Sequence, residues 1–318
     1  MATATALARA WSIELAPTSL IKAGSATARL LPLLPAGTRV YLPSLPGDPP
    51  DAIAQGIALL RRENAELVPV PHIPAQRVAS VDELERRLAS WQRAAARDGV
   101  LREALIVRGD AHANHDATAP ASPPPPLPSM RPTSVFPESL ALLESGVLQR
   151  CGFDAVSLCG HPEGVGDLSA SDARAALIRK LQWAEGANVA ARVVTQFCFD
   201  AGTTAAFVDD LRGAGFVSAA NAPISLGIVG PTRREVRDRM AVRCGVAAPP
   251  PESRTAQGSN QEHASGLSQG EDGWPSMYVD ALTRWHASSD AMRDSPVGLH
   301  VYPFGGLRRT LEWLEELS

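Results

Sequence analysis

The segment SDARAALIRKLQWAEG, residues 171–186, and the run ARVVTQFCF, residues 191–199, together contain the repeating unit of the fold. In the first segment apolar residues recur at i, i+3, i+4 and i+7, which is the spacing of a helix that covers one face of a sheet. The second is a short apolar, β-branched run, which predicts a strand. Nearly continuous apolar strands that alternate with helices are typical of a parallel sheet buried on both sides.

The same alternation continues along the whole chain. Strands are predicted at 12–17, 39–45, 66–73, 103–110, 154–161, 191–199, 224–230 and 298–306. Helices are predicted at 51–64, 81–96, 171–186, 204–215 and near 275–293, with a closing helix in TLEWLEELS at the end. Eight such units in 318 residues predict an α/β fold, a (β/α)8 TIM barrel that forms one domain over residues 1–318. An open doubly wound sheet is the alternative, but no GxGxxG motif follows an early strand.

Two segments interrupt this alternation. Residues 112–134, after the fourth predicted strand, are rich in proline, serine and alanine, which predicts an extended loop insert. Residues 247–273 are polar and rich in glycine, proline and serine, which predicts a disordered insert before the last unit. Because barrel strands are predicted on both sides of each insert, neither marks a domain boundary.

Composition excludes several classes of function. The formal net charge is −4 without a basic block, so nucleic acid and anionic membranes are not expected partners. No apolar run approaches the roughly 20 residues of a membrane span. The four cysteines form no CxxC pair and no metal-like spacing with histidine, which predicts a cytoplasmic protein without a metal site. The alanine-rich start faintly resembles a transit peptide, but the first strand begins too early, at about Trp11.

Polar residues gather at the predicted C-terminal ends of the strands, where barrels place their active sites. Glu14 and Gln196 stand out because they lie in apolar runs rather than after them. A lone carboxylate in such a place costs several kcal/mol unless it is paired or neutralised. We therefore favour a functional role for Glu14 over a structural one.

Several of these strand-end motifs, in this order, resemble the methylenetetrahydrofolate reductase family of flavin-dependent (β/α)8 barrels. SIELAP at 12–17 is similar to the FEFFPP-type first strand of that family, and the later motifs are VPVPHIPAQ at 68–76, LIVRGD at 105–110 and LCGHPEG at 158–164. The most specific match is RKLQWAEGANVAARVVTQFCFD, residues 179–200, which resembles the block RKxxAGAxxxITQxFFD with one extra residue. The resemblance covers about residues 11–246 and resumes weakly at HVYPFGG, residues 300–306.

The resemblance implies an enzyme that reduces 5,10-methylenetetrahydrofolate, or a related one-carbon tetrahydrofolate, with NADH or NADPH as electron donor and FAD, rather than FMN, as cofactor. It implies that Glu14 is the general acid that protonates folate N5, and that Gln196 binds the pterin ring. Asp110 would bind substrate near the flavin and contribute to catalysis. The implied cofactor contacts are His72, Arg108, Gly109, Asp110, His161, Glu163 and Lys180. A homo-oligomer is compatible with this assignment.

The sequence also departs from the family pattern. Val165 replaces a histidine of the family, and Leu15 and Ala16 stand where aromatic residues are usual. The alternative function is therefore a catalytically impaired barrel that retains folate or flavin binding as a binding or regulatory protein. Considered alone, His72 also fits a satisfied buried imidazole, and Lys180 also fits a solvated helix face.

Overall fold

The computed structural model describes residue 7 and residues 10–95, 100–109, 134–166, 168–216, 222–247, 274–288 and 297–317. Eight parallel strands form a closed barrel in chain order. They are β1 (Trp11–Glu14), β2 (Arg39–Leu42), β3 (Val68–Pro74), β4 (Glu103–Val107), β5 (Ala155–Gly160), β6 (Ala190–Thr195), β7 (Ile224–Val229) and β8 (Val297–Tyr302). Because β1 pairs with both β2 and β8, the sheet has no open edge, and the predicted TIM barrel is confirmed.

Helices separate the strands along the chain. They are α1 (Pro17–Ile21), α2 (Ala52–Glu63), α3 (Val81–Ala95), α4 (Ser139–Glu144), α5 (Val147–Arg150), α6 (Ala170–Gly186), α7 (Ala201–Gly213), α8 (Arg234–Cys244), α9 (Ser276–Ala287) and α10 (Leu307–Leu317). The sequence predictions did not include α1, α4, α5 and α8. The first three are too short to show a helical period, and α8 is strongly charged with a weak apolar stripe. The two predicted inserts fall almost entirely outside the described residues.

Several strands end earlier than predicted. Pro17 begins α1, so β1 ends at Glu14 and the acid lies at the strand terminus. Gln196 follows β6 instead of lying inside it, which corrects the prediction. The reason is a tertiary contact: the amide of Gly227 in β7 donates to Oγ1 of Thr195 at 2.7 Å instead of continuing the backbone ladder between β6 and β7.

Side-chain alternation divides the strand residues into two sets. One set packs outward against the helices and forms the larger apolar cluster, with Ile13 as an example from β1. The other set points into the lumen, where Tyr41, Val70, Leu105 and Val194 form a separate small cluster. A polar strand residue that is an even number of positions from a member of the inner set therefore also points into the lumen.

The chain leaves β4 through a glycine. Gly109 has φ +78°, and a Cβ atom there would lie 2.8 Å from Cβ of Pro74. Only glycine fits both constraints, so Gly109 has a conformational reason to be present that does not depend on a ligand. In the part of the chain that the structure describes, no helix is both long enough and apolar enough to cross a membrane.

Candidate functional site

Three polar side chains meet at the C-terminal mouth of the barrel. Oε2 of Glu14, at the end of β1, lies 3.7 Å from Nε2 of His72 in β3 and 4.0 Å from Nε2 of His300 in β8. The Glu14 side chain is 22% exposed, whereas His300 is almost fully buried. These three residues, which we call the mouth cluster, come from strands brought together by closure of the barrel.

Neighbouring groups hold the two imidazoles in place. Nδ1 of His300 lies 2.9 Å from Oγ of Ser12, so its Nε2 is the nitrogen turned toward Glu14. The ring of Tyr41 contacts the ring of His300 edge-on, with centroids 4.8 Å apart, and that of His72 at 6.1 Å. Since these contacts fix both rings, Glu14 occupies an environment prepared before any ligand binds.

Burial sets the protonation of the mouth cluster. It raises the pKa of Glu14 to about 8 and lowers the pKa of His72 to about 3. It also lowers the pKa of His300 to about 3, with a smaller contribution from His72. At neutral pH the cluster therefore holds its proton on Glu14, between two neutral imidazoles, and the carboxyl group can act as a hydrogen-bond donor.

The pH dependence of stability tests this protonation state. The pKa of Glu14 rises from 4.5 to about 8 on folding, so the folded chain binds more protons in this window, and the free energy of unfolding falls as the pH rises through it. Both histidines have lowered pKa values, and they oppose this trend until their unfolded imidazoles are deprotonated, about one pH unit above the ordinary pKa of 6.5. Between pH 7.5 and 8 we expect urea denaturation to show a loss of up to about 1 kcal/mol per pH unit.

Glu14→Gln should flatten that slope, because glutamine does not titrate. Glu312→Gln, on the exposed face of α10, is the matched control and should keep it. An equal slope in the Glu14→Gln protein would contradict the assigned protonation.

A second group faces the mouth cluster from β5 and α6. Lys180 is only 9% exposed, so the solvated helix face considered for it is wrong. Burial lowers the pKa of His161 to about 4, and the charge of Lys180 contributes less to this shift. Burial raises the pKa of the Cys159 thiol to about 11, with Lys180 lowering it and Glu14 raising it. Cys159 therefore lies within electrostatic range of both Lys180 and Glu14.

Two buried nitrogen atoms in this region are available to a ligand. In the part of the chain that the structure describes, Nε2 of His72 and Nδ1 of His161 have no hydrogen-bond partner. A neutral imidazole nitrogen can donate or accept, and an unsatisfied buried one costs free energy. Together with the buried Lys180, these atoms are polar groups of this region that could contact a ligand.

The other predicted site residues differ in how they are placed. Oε1 of Gln196 accepts a hydrogen bond from the amide of Phe197 at 3.0 Å, and the side chain is half-buried. The carboxylate of Glu163 accepts from Sγ of Cys198 at 3.5 Å and from the amide of Ala247 at 3.1 Å, so it connects loops of the protein. The side chain of Arg108 is exposed. Asp110 lies outside the described residues.

Aromatic rings close the side of the mouth next to β6 and β8. Phe197 contacts Tyr302 at 5.2 Å between centroids and Phe199 at 5.7 Å, and Phe199 contacts Trp274 at 5.2 Å. The hydroxyl of Tyr302 donates to the carbonyl oxygen of Thr195 at 3.2 Å. All four rings, which we call the aromatic wall, are buried and belong to the larger apolar cluster.

Sequence reasoning missed His300 and Tyr302 as site residues. The available signal was the period of two in LHVY, where they alternate with the outward Leu299 and Val301. It also missed Cys159, which alternates with Leu158 in the same way. Within the described segments, no three His, Cys, Asp or Glu side chains are grouped so that they could hold a metal ion.

Comparisons with known proteins add little to the site. No family model matches the chain. Among solved structures, the mannohexaose complex of the Thermomonospora fusca β-mannanase is similar at 10% identity and a TM-score of 0.43, over 96% of this chain and 81% of that one. The mannotriose complex of the same enzyme has 10% identity and a TM-score of 0.37, over 75% and 76%. Our assignment of the fold rests on the strand pairing itself.

Proposed function

We propose that this protein is a flavin-dependent oxidoreductase that reduces 5,10-methylenetetrahydrofolate, or a related one-carbon tetrahydrofolate, with NADH or NADPH. The observation that carries the proposal is the mouth cluster, in which the Glu14 carboxyl lies 3.7 Å from His72 and 4.0 Å from His300, and burial raises its pKa. The motif resemblance supplies the substrate class, and the mouth cluster supports the acid step that such a substrate needs.

Glu14 is suited to donate a proton to the folate nitrogen at which the methylene bridge opens. General acids work best when their pKa lies near the operating pH, and the pKa of Glu14 is about 8. Donation leaves a carboxylate in a largely buried position, so the free energy of that state favours reprotonation and return to the starting form. His72 and His300 lie beside the carboxyl as neutral imidazoles and supply no positive charge that would lower its pKa.

A bound flavin would supply the hydride chemistry, while the protein supplies orientation and electrostatics. His72, His161 and Lys180 would hold it, the two imidazoles at polar ring atoms and the ammonium group at an anionic part of the cofactor. The aromatic wall of Phe197, Phe199, Trp274 and Tyr302 excludes water beside the folate.

The visible spectrum of the purified protein tests the proposal. We expect either a yellow protein or one that becomes yellow and remains so after incubation with FAD and gel filtration, and we expect NADH or NADPH to bleach it. Lys180→Met should weaken flavin retention at least about tenfold, because it removes a buried cation. Arg179→Gln, at the exposed neighbouring position, is the matched control.

A protein that stays colourless with both FAD and FMN would refute a flavoenzyme. A yellow protein that neither nicotinamide bleaches would favour the alternative, a binding or regulatory barrel without redox activity.

A further inference from the structure

The opposite, N-terminal end of the barrel contains a cavity. It has a volume of about 330 Å³ and is lined by residues at the beginnings of β1, β2, β6, β7 and β8. We call it the basal pocket and define it by Trp11, Ser12, Arg39, Arg192, Ser225 and Gly298, which are among its lining residues. Its size is at the lower end of the range for small-molecule sites.

The charges around the basal pocket are unbalanced. Nε of Arg39 donates to Oε2 of Glu103 at 2.9 Å, and Nε of Arg192 lies 3.8 Å from Oε1 of the same carboxylate. Two guanidinium groups thus share a single carboxylate, which leaves one positive charge in excess in this cluster. One arginine would be enough to neutralise Glu103 in an ordinary structural ion pair.

The carboxylate of Glu103 also accepts a hydrogen bond from inside the barrel. Its Oε1 accepts from Oγ of Ser157 at 2.6 Å, and the hydroxyl of Tyr41 lies 2.8 Å from Ser157. Since Ser157 gives its only proton to Glu103, Tyr41 is the donor to Ser157. Nε of Arg192, at 3.8 Å, is too distant from Oε1 to form a hydrogen bond with it.

Arg192 consequently has an unmet hydrogen-bonding requirement. Its Nε atom is buried and, within the described residues, has no hydrogen-bond partner. Burial, and then repulsion by Arg39, lowers the pKa of Arg192, as expected for a cation whose charge is not fully compensated. The Arg192 side chain as a whole is 21% exposed, so an anion in the adjacent pocket would compensate the charge of its guanidinium group.

The remaining walls determine the kind of anion. Gly298 contributes no side chain to the pocket, while Trp11, Pro223 and Ile224 give it apolar surface. Ser12 and Ser225 also line the pocket, although Oγ of Ser12 is engaged by Nδ1 of His300. Two guanidinium groups beside an apolar wall match a molecule with an oxyanion head and a small apolar body.

We propose that the basal pocket binds a small organic anion, a carboxylate or a phosphate monoester, whose oxyanion contacts Arg192 and Arg39. This site lies at the end of the barrel opposite the mouth cluster and is independent of the flavin proposal. The two ends of the barrel therefore bind different ligands.

Isothermal titration calorimetry on the full chain tests this, with benzoate, phenyl phosphate and inorganic phosphate as separate probes at constant ionic strength. We expect saturable binding of one or both organic anions, and inorganic phosphate to bind at least about tenfold more weakly than the better of them. Arg192→Gln should weaken that binding about 10- to 100-fold, because it removes a charge-assisted hydrogen bond. Arg102→Gln, a 72% exposed position just before β4, should leave it unchanged.

Two further variants keep the test decisive. Ala36→Glu, at an exposed position on the rim, should weaken anion binding without disturbing the interior. Lys180→Met should leave anion binding unchanged, which would show that the anion does not bind at the mouth of the barrel. Absence of saturable binding by both organic anions would overturn the proposal. So would undiminished binding in both the Arg192→Gln and Ala36→Glu proteins, loss of binding in Lys180→Met, or inorganic phosphate that binds as tightly as the organic anions.

Discussion

Replacement of Glu14 with glutamine is expected to leave flavin reduction by NADH or NADPH within about twofold of the unmodified chain, and to slow reoxidation by methylenetetrahydrofolate about 10²- to 10⁴-fold. Glutamine keeps the size of the side chain and its contacts with His72 and His300, but it cannot donate the proton that the opening methylene bridge needs. Hydride transfer from the nicotinamide to the flavin involves no such donation. Stopped-flow absorbance of the two half-reactions, each measured alone, distinguishes these effects.

Glu312→Gln is the control for this experiment, because its carboxylate lies on the exposed face of α10. Both half-reactions should be unchanged in that protein. A Glu14→Gln protein that loses the nicotinamide half-reaction, or that keeps its full rate with folate, would contradict the role assigned to Glu14.

Replacement of Glu103 with alanine is expected to lower the free energy of unfolding by about 3 kcal/mol. The carboxylate is 8% exposed and lies between Arg39 and Arg192, so its removal leaves two partly buried cations without compensation. Loss of one member of a buried ion pair costs about 3–5 kcal/mol, and the 34% exposure of Arg39 places this case at the lower end. Urea denaturation with a shared m-value measures the loss.

A double-mutant cycle identifies the cause of that loss. The Glu103→Ala/Arg192→Met protein should recover part of the stability lost by Glu103→Ala alone, because one of the two opposed cations is gone. If Glu103→Ala costs less than about 1 kcal/mol, or if the second substitution adds a further full loss, the charge cluster does not have the energetic role assigned to it.

Much of the fold follows from local pattern. The helical period of 171–186 and the apolar strand run after it are properties of neighbouring residues, and eight repetitions of this unit indicate a barrel. The same local reasoning drew attention to Glu14, because a carboxylate next to an apolar strand is costly wherever the strand lies. Strand ends were less well predicted: Gln196 follows β6 because the Gly227 amide bonds to the Thr195 side chain, a contact between segments distant in sequence.

The composition of the site depended on tertiary structure. Alternation indicates that His300 and Tyr302 share a face of β8, but only closure of the barrel brings that face to Glu14 in β1. The sequence was compatible with a solvent-exposed Lys180, whereas packing of α6 on the barrel buries this residue.

The sequence by itself determined the strand and helix alternation, and it marked Glu14 as a residue that needs an explanation. Tertiary structure decided which charges and rings meet: His72 and His300 around Glu14 at one end, and Arg39 and Arg192 around Glu103 at the other. The physical reason is that the period of two is set within each strand, whereas contacts across the lumen depend on the relative stagger of strands that are far apart in the chain.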